Sequence, residues 1–177
     1  MALTLPERPA QYFINEVLLP GWRPSEARGF DATLSDPSAE AFLPLATSID
    51  DVGAVYPSLV VQYSNETSGG QSTYDFLTRD GPGQNRTGEL IVTARAQDRE
   101  DDYVGDSDAY GAAEADDIVV ELTEAVENVV QRSAAGGTTE FATLGSQRGP
   151  DIPDDYEEDP PVRLADVQVS YSWTRHP

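Results

Sequence analysis

Residues 166–177 read DVQVSYSWTRHP, and the alternation in them decides the fold. Val167, Val169, Tyr171 and Trp173 point one way; Asp166, Gln168, Ser170 and Ser172 point the other. Period-two alternation marks a β-strand with one buried and one solvated face. A strand needs a neighbour to satisfy its backbone N–H and C=O groups. This stretch therefore predicts a sheet. It also raises the question of whether its partner lies in the same chain or in another copy.

Moving towards the N-terminus, RGPDIPDDYEEDPP has no periodicity and reads as a proline-bounded acidic loop, within 147–161. TEFATLGS before it is a short strand. ADDIVVELTEAVENVVQR, from Ala115 to Arg132, is the strongest helix. Ile118, Leu122, Ala125, Val126, Val129 and Val130 form its apolar stripe. Asp116 and Asp117 suit its positive N-terminal end, Arg132 suits its C-terminal end, and Gly136-Gly137 supplies the stop. A second acidic loop is expected over 98–111. YPSLVVQYSNE is a strand with Leu59, Val61 and Tyr63 on one face and Val60 and Gln62 on the other. TYDFLTRD and GELIVTARAQ read as hairpin arms around the glycine-rich loop GPGQNRTG. The segment 22–55, with Pro24, Pro37 and Pro44, reads as an irregular connection. PAQYFINEVLLPGW opens the fold as a helix: Ala10, Phe13, Ile14, Val17 and Leu18 share a stripe, and Pro20-Gly21 ends it. The prediction for 1–177 is a single α+β domain, with a mostly antiparallel sheet of four or five strands and two amphipathic helices packed on one face.

The chain has 177 residues, 32 of them acidic and 11 basic, for a formal net charge of -21. All eleven basic residues are arginine. Carboxylate-rich, lysine-free composition is open to a GC-rich genome or an ordinary acidic protein, but better fits a proteome adapted to high salt, where a Debye length of about 3 Å screens the self-repulsion. The charge argues against direct nucleic-acid binding, which relies on clustered Lys and Arg. No apolar run reaches the length of a membrane span, so no membrane association is expected. MALTLPERPA lacks the basic start and apolar core of a signal peptide. The absence of cysteine excludes disulfides, thiolate metal sites and thiol nucleophiles.

GPGQNRTG lacks the lysine of a phosphate-binding loop. The single histidine, His176, stands at a terminus, a poor place for the rigid imidazole of a hydrolytic triad. The acidic clusters Asp98, Glu100, Asp101, Asp102 and Asp154, Asp155, Glu157, Glu158 read as solvated surface, since abundance alone produces them. From Asp106, DSDAYGAAEADD places Asp106, Asp108, Gly111 and Asp117 as a calcium loop would. Tyr110 fills a ligand position, however, and Asp117 replaces the usual glutamate, so whether a cation binds there stays open. The sequence predicts no catalytic residue, no metal site and no cofactor.

The order of an N-terminal helix, the YPSLVV strand, a hairpin, the ADDIVVELTEAV helix and a final strand ending YSWTRHP resembles the tail terminator proteins of tailed bacterial and archaeal viruses. These small neck proteins are also described as tail completion or head-to-tail joining proteins. With the salt-adapted composition, the resemblance implies a virus of a haloarchaeon. It further implies a homo-hexameric ring in the virion that caps the tail tube protein and meets the head connector or stopper protein. DNA would pass through without specific binding, and the role would be assembly rather than catalysis. The final strand would then pair within the sheet while its last residues reach a neighbouring copy. Trp173 and Arg175 are the residue types that anchor interfaces; core packing for Trp173 and solvation for Arg175 are the other roles open to them. Another virion component, such as a connector stopper, tube subunit or minor tail protein, also fits the sequence. So does a cellular halophilic ligand-binding or enzymatic domain.

Overall fold

Apolar residues at period two in three long strands, and at period 3.6 in two helices, leave one economical solution: a sheet with both helices on its apolar face. The computed structural model has this arrangement and describes residues 8–23, 33–34, 42–68, 76–78, 81–98, 115–133, 141–149 and 161–175. The first helix, α1, runs as α-helical Arg8–Tyr12, π-helical Phe13–Leu18 and α-helical Leu19–Gly21. Short strands β1 (Thr33–Leu34), β2 (Phe42–Leu43) and β3 (Leu45–Ala46) follow, then the one-turn helix α2 (Ile49–Val52). The remaining elements are β4 (Ser58–Ser68), β5 (Phe76–Thr78), β6 (Gly81–Gln97), α3 (Ala115–Ser133), β7 (Phe141–Arg148) and β8 (Val162–Arg175).

The sheet order is β3-β4-β6-β8-β7, with β5 paired to β6. Every pairing in it is antiparallel except that of β3 with β4. The strand that raised the opening question is not at an edge. β8 pairs with β6 along its whole length, from Gln97↔Val162 to Gln84↔Arg175, and with β7 on its other side. Its partners lie in its own chain.

The expected apolar stripes are the core. Ala10, Phe13, Ile14, Val17 and Leu18 of α1 pack with Ile118, Leu122, Ala125, Val126, Val129 and Val130 of α3. Beneath them lie Leu59, Val61, Leu90, Val92, Val167, Val169, Tyr171 and Trp173 of the sheet. Burying a side chain of this size stabilises by about 1.5–3 kcal/mol, so the apolar face holds the layers together. The π-turn in α1 has a local cause. Pro20 has no N–H to offer and its ring crowds the carbonyl four residues earlier; the wider turn, with Leu19 N–H bonded to the Ile14 carbonyl, accommodates it.

Two expectations change. GPGQNRTG is not a hairpin loop. It is the first half of β6, where Gly81–Gly83 pairs with β5 and Gln84–Gly88 pairs with β8. The segment 22–55 is not wholly irregular, since it supplies β3 to the sheet edge and α2, which Ser48 caps through the Asp50 N–H. Asp106, Asp108, most of the 98–111 loop, the centre of 147–161 and His176 lie outside the described residues.

Candidate functional site

Two constellations converge on the C-terminal half of β8, one on each face of the sheet. The inner one begins with a bulge. Leu59 and Val61 of β4 face the core, Tyr63 lies on the same side but exposed, and the register slips between Tyr63 and Asn65. An extra residue exchanges the faces of everything beyond it. Asn65 and Thr67 therefore point outward and Glu66 points inward, its side chain only 6% exposed.

A buried carboxylate requires partners, and Glu66 has three. Arg86 Nη1 donates to Oε1 at 2.7 Å, Trp173 Nε1 donates to Oε2 at 2.7 Å, and the Tyr171 hydroxyl donates to Oε2 at 2.9 Å. Tyr171 reaches Glu66 by crossing β6 over Gly88, the residue in register with it. A Cβ at Gly88 would lie 2.6 Å from the Tyr171 hydroxyl and closer still to the Asn65 carbonyl oxygen. Burial first, and then the bond to Glu66, push the Tyr171 phenol far above its ordinary range, so it stays a donor. Phe141 stacks on Tyr171 at 5.3 Å, and Tyr12 of α1 stacks on Phe141 at 6.1 Å. The cluster fastens β4, β6 and β8 to one another and to α1.

This places the two candidate interface residues. Trp173 is 4% exposed and belongs to the core of its own chain. Arg175 is in register with Gln84 in the β6 ladder, so the backbone there is engaged within the chain. β7 extends only as far as Phe141↔Trp173, so among the described residues β8 has a neighbour on one side only beyond that point.

The outer constellation is the uncovered face, the one that neither α1 nor α3 covers. It carries Gln62, Asn65 and Thr67 from β4, and Thr87, Glu89, Ile91 and Thr93 from β6. β8 adds Asp166, Gln168, Ser170 and Ser172, and β7 adds Ala142 and Gln147. Among the described residues of this face the carboxylates are Glu89 and Asp166, and both are held. Asn65 Nδ2 donates to Glu89 at 3.0 Å, and Thr93 Oγ1 donates to Asp166 at 2.6 Å. Partial burial raises the Asp166 pKa despite the Thr93 bond. A bulge between Thr143 and Gly145 pushes Leu144 out, where it is 58% exposed. Beside it lies an open hollow of about 410 Å³, bordered by Asn65, Thr67, Thr87, Glu89, Leu144 and Ser170.

The opposite side of the molecule is acidic. Asp116, Asp117 and Glu124 of α3 are exposed and Glu121 and Glu127 are partly so. Ion pairs of Arg148 with Glu124 and Glu127, and of Arg163 with Asp116, offset part of this charge. Among the described residues no three His, Cys, Asp or Glu side chains gather as a metal site would need. None of the described helices is long and apolar enough to cross a membrane. No protein-family model and no curated protein matches the chain.

Sequence reasoning did not single out Glu66, Arg86, Gly88 or Leu144. Straight alternation from Leu59 puts Glu66 on the solvent face, and only the bulge brings it inside. Gly88 carried a signal of its own: a glycine between alternating residues marks a place where something crosses closely.

Proposed function

We propose that this chain is a structural subunit of a viral neck, of the tail terminator kind. It acts by assembling into a ring that caps the tail tube and joins it to the head connector. The observation that carries the reading is the uneven placement of charge. Two copies that each carry -21 repel wherever carboxylates face one another. The outer sheet face is a broad surface where this does not arise, because its two carboxylates are hydrogen-bonded, its arginine, Arg95, is buried, and the rest is amide, hydroxyl and aliphatic. Depletion of charge with an aliphatic knob beside a hollow is what an interface between copies requires. Charge stays on the α3 side, where it keeps the assembly soluble and repels DNA passing by.

The test is size-exclusion chromatography with light scattering at molar salt. The wild type should form one closed oligomer. Leu144→Glu, which puts a charge into the neutral face, should remain folded and become monomeric. A chain ending at Trp173, which removes Arg175 and the half-paired end of β8, should fold and assemble less well. A monomeric wild type at every salt concentration would overturn the reading.

A further inference from the structure

Arg95 of β6 is 7% exposed and lies on the outer face close to the β3 edge, where Gly53 and Tyr56 cover it. Buried arginines ordinarily lie against a carboxylate, because an uncompensated charge in a protein interior is costly. Even the more exposed arginines Arg86, Arg148 and Arg163 meet carboxylates: Glu66, Glu124 with Glu127, and Asp116. Arg95 does not. Its Nη1 donates to the Gly53 carbonyl and its Nη2 to the Tyr56 hydroxyl, both at 3.0 Å, and the guanidinium lies 4.9 Å from the centre of the Tyr56 ring. These contacts orient the group without neutralising it. Gly53, at φ +58°, takes the backbone conformation that L side chains avoid, and the turn it makes brings its carbonyl to Arg95.

A second deficiency lies next to the first. Ser58 of β4 is directly in register with Arg95, on the same face. It is 0% exposed, and among the described residues its Oγ has no hydrogen-bond partner. A buried hydroxyl left unpaired costs about 1–3 kcal/mol. Among the described residues, one rung of the ladder thus holds a cation without an anion and a donor without an acceptor. A water molecule would satisfy the hydroxyl and leave the charge. A small anion satisfies both.

We propose that the rung Ser58–Arg95 is a binding site for one small monovalent anion of chloride size, held by Arg95 N–H groups and the Ser58 hydroxyl. The slight exposure of both residues excludes a bulky oxyanion or a carboxylate reaching in from another molecule. The bound anion completes the charge balance that fixes the 53–57 turn over the sheet.

The experiment uses the full chain with chloride as probe, exchanged against gluconate at constant high ionic strength so that general screening is fixed. Line broadening in ³⁵Cl NMR should saturate for the wild type, and melting temperature should rise by about 3 °C for each tenfold excess of chloride over its dissociation constant. Ser58→Ala, which keeps the charge, should bind about tenfold to a hundredfold more weakly. Arg95→Gln should show no saturable broadening and no chloride-specific change in melting. Should Arg95→Gln fail to fold, crystals of the wild type and Ser58→Ala soaked in bromide decide the matter through an anomalous peak beside Arg95. Unsaturated broadening in the wild type with equal melting in both salts, or a water at Ser58 and no bromide peak, overturns the site.

Discussion

A methyl group added at Gly88 would meet the Asn65 backbone oxygen and lie 2.6 Å from the Tyr171 hydroxyl. Neither neighbour can yield without losing a strand pairing or the bond to Glu66. Gly88→Ala is therefore expected to destabilise the fold by about 3 kcal/mol, measured by chemical denaturation at high salt. Tyr171→Phe keeps the packing and removes one of three donors from Glu66; it should cost less, about 1–2 kcal/mol. Asp166 gives the pH dependence. Its folded pKa is raised, so the folded state holds this proton more tightly than the unfolded chain does. Stability from this group is present below the unfolded value and is lost as pH rises through the folded one. Asp166→Asn can still accept from Thr93 and should melt higher than the wild type at pH 7, the gain shrinking to nothing in acid. An unchanged difference between pH 7 and pH 3 would contradict the assignment. None of these residues was legible beforehand as a site. The alternation around them was, but the bulge before Asn65 reverses its sense, and no residue type there announces a bulge.

At the scale of elements, the two helices, β8 and the first half of β4 follow from periodicity alone, because each buries one continuous apolar stripe. The failures lie where a tertiary partner overrides local signals. Gly81, Pro82, Gly83 and Gly88 read as a loop, yet β5 and β8 supply ladders that hold them extended. β3 is two residues long and acquires its identity from β4. Asp98, counted as acidic surface, has a specific structural role. Its Oδ1 accepts the Ala115 N–H at 2.8 Å, so it caps α3 from outside the helix. Asp98→Ala should lower stability by about 1 kcal/mol, with Asp98→Asn retaining most of it, because the cap is chiefly a hydrogen bond to an orphan N–H. At the other end Arg132 Nη2 donates to the Gly21 carbonyl at 2.8 Å and brings its charge to the C-termini of both α1 and α3. Loss of helical circular dichroism at lower temperature in Asp98→Ala is the measurement.

For the whole molecule, charge is the dominant long-range term. With -21 to screen, transfer from molar to millimolar salt should lower the melting temperature; a melting temperature that does not move would remove the salt-adaptation argument. The fold class was legible because pattern and layer packing determine it together. The neutrality of the open face was not, since it emerges only when strands distant in sequence lie side by side. Trp173 and Glu66 touch across 107 residues of chain. That distance has a consequence for biosynthesis. β6 and β7 are joined only through β8, which the ribosome makes after both. Until it emerges, the nascent sheet is two fragments with bare hydrogen-bonding edges, and closing loops of this length is slow. Closure of the sheet must therefore await β8. Chaperone occupancy on translating ribosomes should persist until the codons for β8 have been read, and a stalled chain lacking β8 should remain protease-sensitive in all its parts.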